Sequence, residues 1–168
     1  MKQPRQVVIA LGSNLGDRLA NLQGGVDHLA AAGLPATAIS AIFATAPVGG
    51  PPQPDYLNVV LLAHSQLDAR SILDHCLDAE RALGRVRIER WGARTLDVDL
   101  IACDAEVSTD PELTLPHPRA HLRAFVLAPW LDADPEAQLV GFGPVADLLA
   151  RAGRTGVTRL DDPRLKLS

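Results

Sequence analysis

The chain has little cysteine, few aromatic rings and no long uninterrupted apolar run. Its two cysteines, Cys76 and Cys103, lie far apart among 168 residues. They form no CxxC, no Cys/His zinc spacing and no disulfide framework, which points to a reducing compartment, the cytoplasm. Leu29 to Pro54 carries no charge, but Pro35, Pro47, Pro51, Pro52 and Pro54 interrupt it, which excludes a transmembrane helix. The first residues run straight into a short apolar strand and lack the shape of a signal peptide. An excess of positive charge is also missing: 16 Lys and Arg against 20 Asp and Glu leave a net charge of −4. That balance argues against a general nucleic-acid binder, which must replace phosphate counterions. With 47% apolar and 21% charged residues the chain is no disordered tail. Its length predicts one domain over 1–168 with a substantial core. The six aromatics are Phe43, Tyr56, Trp91, Phe125, Trp130 and Phe142, so Leu, Val, Ile and Ala must supply most of that core.

What is present reads as alternating strands and helices. Gln6–Leu11 is rich in β-branched residues and predicts a buried strand. Gly12–Asp17 reads as a tight turn, with Asn14 or Asp17 placed to cap a helix over about 16–32. Thr37–Thr45 and Tyr56–His64 predict two further strands, separated by a long Gly/Pro-rich loop. Asp68–Leu83 predicts a helix with Ile72, Cys76, Ala79 and Leu83 as its apolar stripe and Gly84 at its C-terminal cap. Leu96-Asp97-Val98-Asp99-Leu100 alternates as a half-buried strand does. Leu113–His117 reads as a short strand or extended loop. Helices follow over Ala120–Leu131 and about 144–152, and the tail after Arg154 has no readable pattern. The order βαββαβ predicts an α+β, ferredoxin-like sandwich: an antiparallel sheet, helices packed on one face, and the other face left to loops and ligands.

Charge is unevenly spread. Arg81, Arg85, Arg87, Arg90 and Arg94 crowd one segment, and the next holds Asp97, Asp99, Asp104, Glu106, Asp110 and Glu112 with no base. Residues two apart on a strand share a face, so Asp97 and Asp99 lie roughly 7 Å apart along one edge. Alone, that spacing fits two solvated residues on an edge strand. Beside an arginine-rich loop it fits a metal–polyphosphate site: Mg²⁺ takes one or two carboxylates plus water and phosphate oxygens, and arginine supplies bidentate donors. Gly12–Gly16 lacks the lysine of a P-loop. Thr114, His117 and Arg123 are further phosphate donors. Trp91, an apolar ring within a run of arginines, suggests a loop that closes over something flat.

Together these motifs resemble the 6-hydroxymethyl-7,8-dihydropterin pyrophosphokinase family. The likeness is carried by Gly84-Arg85-Val86-Arg87 and Glu89-Arg90-Trp91-Gly92-Ala93-Arg94-Thr95-Leu96-Asp97-Val98-Asp99. It extends to Ile9–Asp17, Gln53–Asn58, Leu115–Arg119 and Arg123–Leu127, and covers about residues 6–160. The resemblance implies transfer of the β,γ-pyrophosphoryl group of ATP, the co-substrate, to the hydroxymethyl oxygen of the reduced pterin, with release of AMP. It implies two Mg²⁺ ions on Asp97 and Asp99. It gives Arg85 and Arg94 the transferring group, and Glu80, Arg87, Arg94, Leu100, Thr114, His117 and Arg123 the ATP. Tyr56 and Phe125 would stack the pterin, Thr45, Val48 and Asn58 would line it, and Trp91 would cover it. The segments 46–54 and 84–93 would be mobile loops closing over both substrates. A monomer acting on small molecules, with no nucleic acid or membrane partner, is the expectation.

The chain departs from the family pattern at Ala46 and Val48, where proline and leucine are usual. It departs again at Glu112 and Pro118, where a basic residue and tyrosine are frequent. Two other readings fit parts of the pattern: a non-catalytic pterin- or nucleotide-binding relative, and an ordinary kinase that makes ADP.

Overall fold

A computed structural model describes residues 3–47, 52–84 and 95–167. The first strand, β1 (Arg5–Ser13), is longer than its apolar run suggests and includes Gly12, which is strand rather than turn. Asp17 caps α1 (Arg18–Ala31), its carboxylate accepting the Ala20 N–H at 3.1 Å. The expected second strand is broken into β2 (Ala36–Ile39) and β3 (Ile42–Thr45). The break is stabilised by side chains: the Ser40 hydroxyl accepts the Val60 N–H at 3.0 Å, and Asp132 accepts the Ala41 N–H at 2.8 Å. Both pieces pair with β4 (Tyr56–Ser65). Asp68 caps α2 (Ala69–Ala82) through the Ser71 N–H at 2.8 Å, and Gly84, at φ 73, follows the helix in the left-handed conformation that favours glycine.

β5 (Asp97–Cys103) completes the βαββαβ unit. Every pairing in the sheet is antiparallel, and the order β5-β1-β4-β3 is that of the ferredoxin-like split. The alternation read from the sequence holds: Leu96, Val98 and Leu100 are buried, while Asp97 and Asp99 are half-buried. A hairpin of β6 (Ser108–Asp110) and β7 (Leu113–Leu115) leads through a 3-10 turn at Ala120–Leu122 into α3 (Ala124–Ala133). A two-stranded ribbon, β8 (Gln138–Leu139) and β9 (Gly143–Pro144), precedes α4 (Val145–Ala152).

The expectation for the layers is corrected, and the tail, which had no readable pattern, is found in the sheet. Helices cover both faces of the sheet, not one. Val7, Ile9, Leu11, Val59, Leu61, Val98 and Leu100 meet α1 and α2 in one core. Val8, Phe43, Val60, Leu62 and Ile101 meet α3 and α4 in a second. The reason is that α3 is apolar around most of its girth, with Val126 to Trp130 all buried, and it must cover the second set of strand side chains. The tail forms β10 (Val157–Leu160), an edge strand on β3. Four residues with polar Thr158 and Arg159 between apolar ends gave no period to read. Arg159 ties the strand to Asp132 of α3 at 3.2 Å, and Lys166 exchanges two hydrogen bonds with the Gln23 side chain at 2.8 and 2.9 Å.

Candidate active site

The second face is covered by α3 at one end and open to polar side chains at the other. Alternation along β1 sends Val8, Ala10 and Gly12 to this face. The pairing register then places Gly12 opposite Asn58 on one side and Asp97 on the other, and Ala10 opposite Val60 and Asp99. Across β4, Asn58 stands opposite Phe43, and Tyr56 opposite Thr45. One row therefore runs over four strands, from Thr45 through Tyr56 and Asn58, over Gly12 and Ala10, to Asp97 and Asp99. Two inter-strand spacings separate Asn58 from Asp97, about 10 Å.

The middle of the row is low because β1 has no side chain there to raise it. A Cβ on Gly12 would stand 3.0 Å from Asn58 Oδ1 and 3.4 Å from Tyr56 Cδ1. Asn58 and Thr45 are both 6% exposed, and the Asn58 amide donates to the Thr45 hydroxyl at 2.8 Å. A buried amide oriented in this way presents a fixed polar edge to a ligand. The turn after β1 steadies the chain ahead of Tyr56. Asn14, fully buried, donates to Gln53 Oε1 at 2.8 Å and to the Pro54 carbonyl at 3.2 Å, and Arg18 donates to the Asp55 carbonyl at 3.0 Å.

At the other end of the row, the N-terminus of α3 brings in Phe125 and Arg123. The Arg123 guanidinium lies 5.5 Å from the centroid of the Phe125 ring, a cation–π contact. Burial pulls its pKa below the usual guanidinium value. Asp99 opposes that shift, Arg119 adds to it and Asp97 opposes it, so Arg123 shares the field of both aspartates. The His117 N–H donates to the Ile101 carbonyl at 2.8 Å, which fastens its loop to the outer edge of β5. The ring Nδ1 accepts the Arg119 N–H at 3.2 Å. Burial first, then Arg123 and Arg119, hold its pKa down at about 4, so the imidazole is neutral at pH 7 with its proton on Nε2. Two carboxylates with hard oxygen donors, beside a guanidinium and a neutral imidazole, suit Mg²⁺ shared with phosphate oxygens.

Among the described residues, the fold brings together most of those singled out in the sequence: Thr45, Tyr56, Asn58, Asp97, Asp99, Arg123 and Phe125, with His117 at the margin. Thr114 lies in the β6–β7 hairpin, where its hydroxyl donates to the Asp110 carbonyl at 3.0 Å. Leu100 is different. Its side chain is 5% exposed in the core under α1 and α2, because alternation turns it away from Asp99. Only its backbone, at the outer edge of β5, can face a ligand. Glu80 is also turned inward, 5% exposed, with its carboxylate accepting the Val98 N–H at 2.9 Å. Val48, Arg85, Arg87, Trp91 and Arg94, with most of the two expected mobile loops, lie outside the described residues. Sequence reasoning missed Ala10, Gly12 and the clamp made by Asn14. The available signal was the small–large–small run Ala10-Leu11-Gly12 inside a strand.

Residues 8–135 match the family described as 7,8-dihydro-6-hydroxymethylpterin-pyrophosphokinase. A 2-amino-4-hydroxy-6-hydroxymethyldihydropteridine pyrophosphokinase of Mycobacterium tuberculosis (strain ATCC 25618 / H37Rv) is 48% identical over 158 residues, covering 86% of this chain and 82% of its own. Its namesake from Methylorubrum extorquens is 39% identical over 154 residues, covering 91% and 97%. Among solved structures, an HPPK-DHPS in complex with substrates superposes with a TM-score of 0.76 at 10% identity, over 99% of this chain and 48% of that one. Plasmodium falciparum HPPK-DHPS with pteroate gives 0.73 at 12% identity, over 100% and 48%. This chain spans about half the length of those structures, and at such identity they speak for the fold alone. The family match over most of the chain, together with these identities, shows that the chain belongs to the 7,8-dihydro-6-hydroxymethylpterin pyrophosphokinase family.

Proposed function

We propose that Asp97 and Asp99 hold two Mg²⁺ ions, and that the row from Thr45 to Gly12 seats the pterin, in the transfer of pyrophosphate from ATP to 6-hydroxymethyl-7,8-dihydropterin that this enzyme performs in folate biosynthesis. The observation behind this reading is the register of β3, β4, β1 and β5. It puts an amide–hydroxyl pair and a carboxylate pair on one face about 10 Å apart, with only Gly12 and Ala10 between them.

In this reading the pterin lies over Gly12, between the rings of Tyr56 and Phe125, and Asn58 and Thr45 read its polar edge. Its hydroxymethyl group then points along the row toward β5. Asp97 and Asp99 orient that hydroxyl and the phosphates. When bound, Mg²⁺ neutralises phosphate oxygens and favours the attacking and leaving oxygens of an in-line displacement. The hydroxyl oxygen forms a bond to the β-phosphorus and releases its proton to water. The bond from that phosphorus to the α,β-bridging oxygen breaks, and AMP leaves with the electron pair. Arg123 and the neutral His117, through Nε2–H, donate to phosphate oxygens, and the open backbone edge at Leu100 receives the adenine. Arg85, Arg87 and Arg94 supply further charge, and Val48 and Trp91 complete the pterin pocket, in the roles their motif gives them. Most of the barrier is met by placement and charge neutralisation.

We also read the chain as one domain over 1–168 and as a cytoplasmic monomer. Pairing of β10 with β3, and of Lys166 with Gln23, supports the first. Cys76 and Cys103, both buried and unlinked, fit a reducing compartment. No helix among the described residues is long and apolar enough to cross a membrane. The test of function is product chromatography with ATP, Mg²⁺ and the reduced hydroxymethylpterin, each omitted in turn. AMP formed in step with a pyrophosphorylated pterin is expected. ADP would overturn attack at the β-phosphorus, and substrate binding without turnover would favour a non-catalytic relative.

A further inference from the structure

Glu80 occupies a place where an apolar residue is expected. On α2 it follows Ile72 and Cys76 at intervals of four, on the stripe that faces the sheet, and it is 5% exposed. Burial disfavours a carboxylate unless something engages it. Here one oxygen accepts the Val98 N–H at 2.9 Å. β5 ends the main sheet, so its inner edge pairs with β1 while, among the described residues, no strand of that sheet covers its outer edge. Glu80 thus stands in for a neighbouring strand at one peptide unit, the one joining Asp97 to Val98. That unit lies between the two carboxylates of the site. Rotation of it about the strand axis would swing Asp97 relative to Asp99 and change the separation that two cations require. β1 holds the inner side through the pairs Gly12–Asp97 and Ala10–Asp99, and Glu80 holds the outer side.

We propose that Glu80 is a positioning residue for the divalent-cation site: its buried carboxylate, bonded to the Val98 N–H, fixes the geometry of Asp97 and Asp99, and it does not contact ATP. The inference rests on the reading of those two aspartates as the metal ligands. The test compares Mn²⁺ binding by electron paramagnetic resonance, with α,β-methylene-ATP present, in the wild-type enzyme and in the variants Glu80→Gln, Glu80→Asp and Asp97→Asn. Hydrogen exchange at the Val98 amide is measured in the metal-free protein. Glutamine keeps the acceptor and loses the charge, whereas aspartate keeps the charge and withdraws the acceptor by one methylene. Glu80→Gln is expected to hold Mn²⁺ affinity within about twofold. Glu80→Asp is expected to weaken it about tenfold, the lower end for a group that orients a metal ligand, and to speed Val98 exchange. The inference is overturned if the order reverses, which would mean that the charge acts on a ligand. It is also overturned if Val98 exchange rises while Mn²⁺ affinity stays unchanged, which would make the bond merely structural. Should Glu80→Asp not fold, Glu80→Met, which fills the space without an oxygen acceptor, is judged by the same criteria. Undiminished Mn²⁺ binding in Asp97→Asn would instead refute the underlying metal site.

Discussion

The two faces of β1 and β5 are built from the same residues in alternation and do opposite work. Toward α1 and α2 the strands present Ile9, Leu11, Val98 and Leu100, all within 5% exposure, in a closed apolar core. Toward the other side the interleaved positions are Ala10, Gly12, Asp97 and Asp99. The side chains shrink on the central strand and become charged on the edge strand. Bulk is removed from the middle of a sheet whose reverse side keeps all of its bulk. In the proposed reading, stability and chemistry therefore fall to different faces of one strand, and substitutions one residue apart should separate them.

The sharpest contrast is between Asp97 or Asp99 and Leu11. Asp97→Asn and Asp99→Asn remove a charge from half-buried positions outside the core and should leave thermal unfolding within a few degrees of wild type. With the two carboxylates as the proposed cation ligands, turnover should fall on the order of a thousandfold or more, since several kcal/mol of charge stabilisation would depend on those cations. Leu11→Ala opens a cavity in the sealed core. It should cost about 3 kcal/mol and lower Tm by roughly 10 °C, with turnover of the remaining folded enzyme little changed. Calorimetry and steady-state assay of the three variants decide the matter. A large Tm loss in the aspartate variants, or an activity loss in Leu11→Ala beyond its unfolded fraction, would break the division between the faces.

A finer probe is Gly12, whose backbone belongs to both faces. An added methyl would stand 3.0 Å from Asn58 Oδ1, which must give by a few tenths of an ångström, and would touch Tyr56 Cδ1 at 3.4 Å. Gly12→Ala should raise the KM for the pterin about tenfold through that misplacement, leave the KM for ATP near wild type and change stability little. An equal rise in both constants would mean that Gly12 does not lie under the pterin alone.

The sequence made the sealed face easy to read and the open face harder. β-branched runs, the cap at Asp17, and the stripe Ile72-Cys76-Ala79 are local signals, and they located β1, α1 and α2 to within a few residues. Asp97-Val98-Asp99 was legible because alternation and charge coincide there. The second helical layer was not, because α3 is apolar nearly all round and only the tertiary register decides what it covers. Gly12 looked like a turn because glycine beside Ser13 and Asn14 has turn chemistry, and its place in a strand depends on pairing with β4 and β5. The motif alone gives Leu100 and Glu80 to ATP. Their side chains are turned inward, a matter of parity along a strand and around a helix. β10 was too short to carry a period.

The smallest expected effect concerns the border between the two faces, where His117 is fastened to the outer edge of β5 by the Ile101 carbonyl. Burial, with Arg123 and Arg119 nearby, holds this imidazole at a pKa of about 4, below the ordinary 6.5. The unfolded chain therefore binds a proton more readily than the folded one, and stability rises with pH between these values. The contribution is full above about pH 6.5 and is lost as pH falls through about 4. Because the ring is partly exposed, it should amount to only about 1 kcal/mol. Denaturant unfolding of wild type and His117→Gln at pH 7 and pH 4 should show a loss in the first that is reduced in the second by that amount. Titration of the ring by NMR should place its midpoint near 4 in the free enzyme. Bound ATP should raise that midpoint, because phosphate charge favours the imidazolium. A free-enzyme midpoint near 6.5 would mean that His117 is a solvated cation below neutral pH, and the edge proposed to bind phosphate would then be charged before substrate arrives.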